Sequence, residues 1–189
     1  MSRVPRDVPP IRRSISVSWT PDAAYRRFVE EFGTWWPRYS HSIGGPRVTR
    51  VVLEPRVGGA IYEEHADGTR YEWGTVIALD APRRVAFTFH AAFARADAQH
   101  VEVTFSPEHG GTRVELVSSG WESMGDHARS AYGGYRIGWA GLLKRYAGRF
   151  SGIEVLFTAM ARMMDLTGKR DDFLRNSLGR IPATGEHDT

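Results

Sequence analysis

From Val48 to Ser119 the apolar and polar residues alternate with a period of two, while Tyr25 to Phe32 before it and Asp126 to Phe150 after it repeat at helical spacing. The alternating region predicts six strands, at 48–54, 59–66, 70–79, 83–93, 98–106 and 111–119. Turn chemistry separates them. Asp67-Gly68 is a two-residue hairpin signal that needs positive φ. Ala81-Pro82, Arg95-Ala96-Asp97 and Pro107 to Gly111 mark the later breaks, and Val57-Gly58-Gly59 predicts a turn or bulge. Connections this short join antiparallel neighbours, so the strands form a meander. Trp73, Thr75 and Ile77 are expected on one inward face, with Val85, Phe87 and Phe89, then Val101, Val103 and Phe105, then Val114 and Leu116. The opposite faces carry Glu72, Thr88, His90, His100, Glu102, Arg113 and Glu115, which suits solvent.

Before the meander, Arg13 to Trp19 reads as a strand with Ile15, Val17 and Trp19 on one side. Thr20-Pro21-Asp22 is a helix start, with Thr20 as N-cap and Pro21 at the first helical position. Tyr25, Phe28, Val29 and Phe32 form its apolar stripe, Gly33 is the expected stop, and a short second helix falls near Thr34 to Pro37. Residues 38–47 read as loop. After the meander, Asp126 to Phe150 predicts one long helix whose apolar face runs through Ala128, Ala131, Tyr132, Tyr135, Trp139, Leu142, Leu143, Tyr146 and Phe150. Asp126 is the expected N-cap. Gly133, Gly134, Gly138 and Gly141 each cost about 1 kcal/mol against Ala in such a helix. They imply either an interruption near Gly133-Gly134 or a close approach to the helix backbone.

One apolar sheet face and one apolar helix face predict a two-layer α+β domain over residues 13–150. Residues 1–12 are expected to be a basic irregular tail, and 151–189 a helical extension with a disordered end. In that extension Ile153, Leu156, Phe157, Met160, Met163 and Met164 repeat at helical spacing; Gly168 is a stop, and Asp171 to Leu174 could start a short helix.

The order strand, helix, short helix, meander, long helix resembles the START/Bet v 1-like (SRPBCC) superfamily. Local motifs narrow the resemblance to its bacterial branch of heat-shock protein 90 ATPase activator relatives. These are Trp35-Trp36, Glu54-Pro55 to Gly59, Asp67-Gly68 before Trp73-Gly74-Thr75-Val76, Gly110 to Leu116, Gly120-Trp121, and Gly138-Trp139 followed by Leu142. The resemblance covers about residues 14–150 and implies a helix-grip fold, a curved antiparallel sheet wrapped around the long helix. The superfamily includes lipid carriers, polyketide cyclases, hormone receptors and co-chaperones, so fold alone does not fix the function.

Composition removes whole classes of chemistry. No cysteine is present among the 189 residues, which excludes disulfides, thiolate nucleophiles and Cys-based metal sites and suits a cytoplasmic protein. The N-terminus lacks the apolar segment of a signal peptide, and no apolar run reaches membrane-spanning length. Arg3, Arg6, Arg12 and Arg13 against Asp7 account for the whole formal charge of +3, leaving nothing in bulk charge that points to nucleic acid. There is no nucleophile elbow, phosphate-binding loop or dinucleotide fingerprint. The seven histidines are scattered, without an i, i+4 metal pair, and are expected at the surface. No cofactor, metal or catalytic residue is assigned.

Two sets of residues remain as candidates. Glu63, His65, Tyr71 and Glu72 flank the Asp67-Gly68 hairpin; a carboxylate among them facing an apolar cavity would work as an acid or base on a ketone. Trp35, Trp36, Trp73, Phe87, Phe89, Trp121, Tyr135 and Trp139 either line a cavity or fill the core. The leading expectation is a protein that binds a small hydrophobic or amphipathic ligand. The alternatives are a co-chaperone-like module acting on a heat-shock ATPase and a cyclase or dehydratase using general acid–base catalysis. The stripe at 153–164 packs on its own domain, forms a homodimer, or meets another partner such as a chaperone.

Overall fold

The computed structural model describes residues 8–91, 93–149 and 152–167. Its strands are β1 (Ile11–Val17), β2 (Val48–Leu53), β3 (Ala60–His65), β4 (Arg70–Asp80), β5 (Arg84–Phe89), β6 (Gln99–Glu108) and β7 (Gly111–Ser119). The helices are α1 (Pro21–Val29), α2 (Phe32–Trp35), α3 (Ala128–Tyr146) and α4 (Gly152–Leu166). All strand pairs are antiparallel, in the spatial order β1-β7-β6-β5-β4-β3-β2. The six-strand meander is therefore closed on one side by β1, and the sheet curls around α3 in the expected helix-grip arrangement.

Helix α1 begins as its sequence dictates: the Thr20 hydroxyl accepts from the Ala23 amide at 3.3 Å, and Pro21 opens the helix. Tyr25, Phe28 and Val29 are buried, and the helix ends at Val29. Gly33 is not its stop. It lies inside α2, where a Cβ would come within 2.3 Å of the Val51 carbonyl oxygen, so glycine there permits α2 to press on β2. The first strand also starts two residues earlier than alternation suggested, at Ile11, because Ile11 pairs with Ser118 and packs under the helix layer at 1% exposure.

In β4 the inward face does not run Trp73, Thr75, Ile77. Register shifts against both neighbouring strands put Trp73 and Val76 inside and leave Ile77 exposed. Gly74 allows this: a Cβ on it would lie 1.7 Å from the Thr88 carbonyl oxygen.

Helix α3 starts at Ala128, after a tight 3-10 segment from Trp121 to His127 that Gly125 breaks at φ 51°. The Asp126 side chain lies outside the described residues. Neither expectation for the glycines holds. The helix runs unbroken through Gly133 and Gly134, and among the described residues a Cβ at Gly133, Gly134, Gly138 or Gly141 would meet nothing within 4 Å. The C-terminal end of α3 is pinned to α1 and α2. The Tyr146 hydroxyl donates to the Ala24 carbonyl at 2.7 Å, Arg27 donates to the Tyr146 carbonyl at 3.3 Å, and Arg145 donates to the Trp35 carbonyl at 2.8 Å.

In α4, Ala161 is buried and the Arg162 guanidinium lies 5.7 Å from the Tyr39 ring centre, while Leu156, Met160, Met163 and Leu166 are exposed. The Ile153 and Phe157 side chains, the stop at Gly168, the helix near Asp171, the end at 182–189 and residues 1–7 lie outside the described residues.

Candidate ligand-binding site

The sheet's concave surface and α3 bring the eight candidate aromatics into one ring network. Trp36 reaches Trp73 with ring centres 5.0 Å apart and Phe89 at 6.1 Å, and Trp73 meets Phe89 at 6.2 Å. Phe89 is the hub. It touches Phe87 at 6.3 Å on its own strand, and Tyr135 at 6.2 Å and Trp139 at 5.2 Å on α3. Trp121 joins through Tyr135 at 5.1 Å. Trp35 connects to Trp36 but turns toward Phe28 and Tyr146, so it belongs to the packing between α1 and α3.

Indole N–H groups distinguish the members. Trp35 donates to the Arg27 carbonyl, Trp36 to the His41 carbonyl and Trp121 to the Ser118 carbonyl, each at 3.1 Å. The Nε1 atoms of Trp73 and Trp139 are buried with no acceptor among the described residues. Two polar residues that the sequence reading passed over lie on the same concave surface. Gln99 stands opposite Phe89 in the register, and Ser118 opposite Val101. Both are fully buried, and Gln99 Oε1 and Ser118 Oγ have no partner among the described residues. The Gln99 amide nitrogen is held by the Asp97 carbonyl at 2.6 Å, which fixes Oε1 as the free end. A signal for them was present: Gln99 opens the inward series continued by Val101, Val103 and Phe105, and Ser118 ends the one begun by Val114 and Leu116. An orphaned buried polar group costs about 1–3 kcal/mol, so four on one surface need a reason. Together they offer two donors, one acceptor and one hydroxyl inside an aromatic wall. Burial also raises the Tyr135 hydroxyl pKa, keeping it protonated and available as a donor.

The acid–base candidates divide. Glu63 is fully buried, and its carboxylate accepts from the Ile43 and Gly44 amides at 2.7 Å each and from His65 Nε2 at 2.6 Å. Because a carboxylate can only accept, Nε2 carries the proton of that ring. Tyr71 lies against His65, with ring centres 4.8 Å apart and the planes tilted by 41°. Glu72 is not part of this group; it turns to the outer face and pairs with Arg95. The expectation of surface histidines fails for His65 and His90, both buried. His90 sits beyond β5, its Nδ1 donating to the Phe93 carbonyl at 3.1 Å, and burial lowers its pKa. His41 is held down at about 4, first by burial and then by the Arg145 charge. Among the described residues, no cluster of three or more His, Cys, Asp or Glu is arranged to hold a metal ion. No helix among the described residues is long and apolar enough to cross a membrane.

Comparison with known proteins agrees with this architecture. The family described as Activator of Hsp90 ATPase homolog 1-like protein matches residues 19–148. The search of curated proteins gave no match. Among solved structures, protein MLL2253 from Mesorhizobium loti superposes with a TM-score of 0.55 at 18% identity, covering 74% of this chain and 95% of its own. The Aha1 dimer from Colwellia psychrerythraea gives 0.53 at 15% identity, covering 72% and 91%. An anthrahydroquino-γ-pyrone synthase, Txn09, gives 0.50 at 29% identity, covering 76% and 98%.

Proposed function

The chain belongs to the Activator of Hsp90 ATPase homolog 1-like family, and we propose that it binds a small amphipathic ligand, a planar aromatic molecule bearing carbonyl and hydroxyl oxygens. The ligand sits between α3 and the concave face of β4–β7, against Trp36, Trp73, Phe87, Phe89, Tyr135 and Trp139. The observation that carries this reading is the set of buried, unpartnered polar atoms on that surface: Trp73 Nε1, Trp139 Nε1, Gln99 Oε1 and Ser118 Oγ. Indole N–H groups donate to ligand carbonyls, Gln99 accepts from a hydroxyl, and the rings supply the apolar contact. The likeness to a synthase named for an anthrahydroquinone supports the aromatic ligand class.

The test is calorimetric titration with a hydroxyanthraquinone. Binding should show a negative heat-capacity change. Trp73→Phe and Trp139→Phe keep an aromatic ring and remove only the N–H; each should weaken binding by roughly 5–10-fold, the worth of one hydrogen bond. Affinity unchanged in both variants would sink the assignment.

A second reading, a cyclase or dehydratase working by general acid–base catalysis, rests on the Glu63–His65 contact at 2.6 Å. The Glu63 oxygens are engaged by three donors, so Glu63 orients and His65 is the member that exchanges a proton with a ketone substrate. His65→Gln would then abolish turnover of a polyketone while leaving its binding intact. For the extension, we propose a homodimer contact through residues 153–164, supported by the exposed Leu156, Met160 and Met163 on one face of α4.

A further inference from the structure

A second, solvent-open cleft of about 560 Å³ lies on a different flank of α3, between that helix and the edge strand β1. Its floor is apolar: Leu143 is buried, and Ile15 and Ala140 are half-buried. Its rim carries Arg13, Lys144 and Arg149. Two of these cations are fixed in place by main-chain acceptors. Arg13 donates to the Arg136 carbonyl at 3.2 and 3.0 Å and to the Arg12 carbonyl at 2.9 Å; Arg149 donates to the Ser16 carbonyl at 3.1 Å. No carboxylate among the described residues lines the cleft. Among the described residues, none of the three cations is in an ion pair.

Guarding the free edge of β1 against another strand accounts for the two arginines. It accounts neither for Lys144 nor for an apolar floor beneath three unneutralised charges. We infer that this cleft binds an amphipathic oxyanion, an alkyl body lying on Ile15, Ala140 and Leu143 with a carboxylate or phosphate head among Arg13, Lys144 and Arg149. The volume falls within the range of about 300–1,000 Å³ usual for small-molecule sites. Arginine held by carbonyls presents its remaining N–H groups in a fixed direction, which suits a two-oxygen head group. The site is independent of the aromatic one: it uses other residues, another flank of α3 and the opposite logic of recognition.

Decanoate and decyl phosphate are the two probes, titrated into the ¹⁵N-labelled full-length chain. Either should shift the amides of Ile15, Ala140 and Lys144, and the head group that binds more tightly identifies the anion. The double variant Lys144→Glu with Arg149→Glu replaces two exposed side chains and should weaken binding at least about tenfold, as should raising salt to about 0.5 M for the parent. Three results overturn the inference: shifts confined to the Trp73 and Trp139 indoles, equal affinity in parent and double variant, or no shift with either probe at about 1 mM.

Discussion

Trp139 is 3% exposed, centred on the apolar face of α3, and its ring lies against Phe89. Truncation to alanine should cost about 3–5 kcal/mol, read from urea melts, whereas Trp139→Phe should cost far less. A loss below about 1 kcal/mol for the alanine variant would contradict the helix register. Glu63→Gln is expected to cost about 1–3 kcal/mol, since an amide turns a donor toward the Ile43 and Gly44 N–H groups or toward His65. His41 ties stability to pH. Its pKa is about 4 in the folded chain against an ordinary 6.5. Between those values the unfolded chain binds the extra proton, so stability is full above about 6.5 and declines as pH falls toward 4, by an amount on the order of 3 kcal/mol. Burial lowers His90 in the same direction. His41→Gln should flatten the fall in stability between pH 7 and 5, a window above the range of ordinary carboxylates; a slope equal to the parent's would remove His41 from the account.

At the scale of elements, α3 carries glycines for which the structure shows no steric need. Gly134, Gly138 and Gly141 have no neighbour among the described residues within 4 Å of an added Cβ, and none has positive φ. Each change to alanine should therefore stabilise the fold by up to about 1 kcal/mol, and the triple variant should melt at a higher temperature. A lower melting temperature would mean that the bare backbone there is used by something that approaches it. Gly33 and Gly74 are the contrast, because the Val51 and Thr88 carbonyl oxygens already occupy the space. Alanine at Gly74 should destabilise strongly by forcing β4 away from β5.

Whole-molecule behaviour turns on α4. A helix of 15 residues is marginal alone in water, yet its Leu156, Met160, Met163 and Leu166 are exposed while Ala161 is covered. Sedimentation of the full-length chain at about 100 μM should show a dimer, and Met160→Glu with Met163→Glu should return it to monomer. A monomeric parent would dismiss the self-contact and leave the stripe for a partner of another kind, a chaperone included.

Element order, the meander and the strand parity over most of the sheet are legible along the chain, because period-two alternation and turn residues are local properties. The sequence also picked out the ring residues that meet around Phe89, since inward parity and helix spacing place them on facing surfaces. Tertiary structure alone decided three things. The register shifts around Gly74 moved Val76 inward and Ile77 outward, because a bulge is set by the partner strands and leaves no mark in alternation. Glu63 and His65 became a buried pair through loop amides that arrive from residues 43 and 44, a contact no pattern along β3 encodes. Last, which indole N–H groups find an acceptor was settled by how the turns around them fold, bringing carbonyls three to eight residues away along the chain within reach. Trp35, Trp36 and Trp121 are satisfied and Trp73 and Trp139 are not, because hydrogen bonding depends on distances of a few tenths of an ångström that only the packed chain defines.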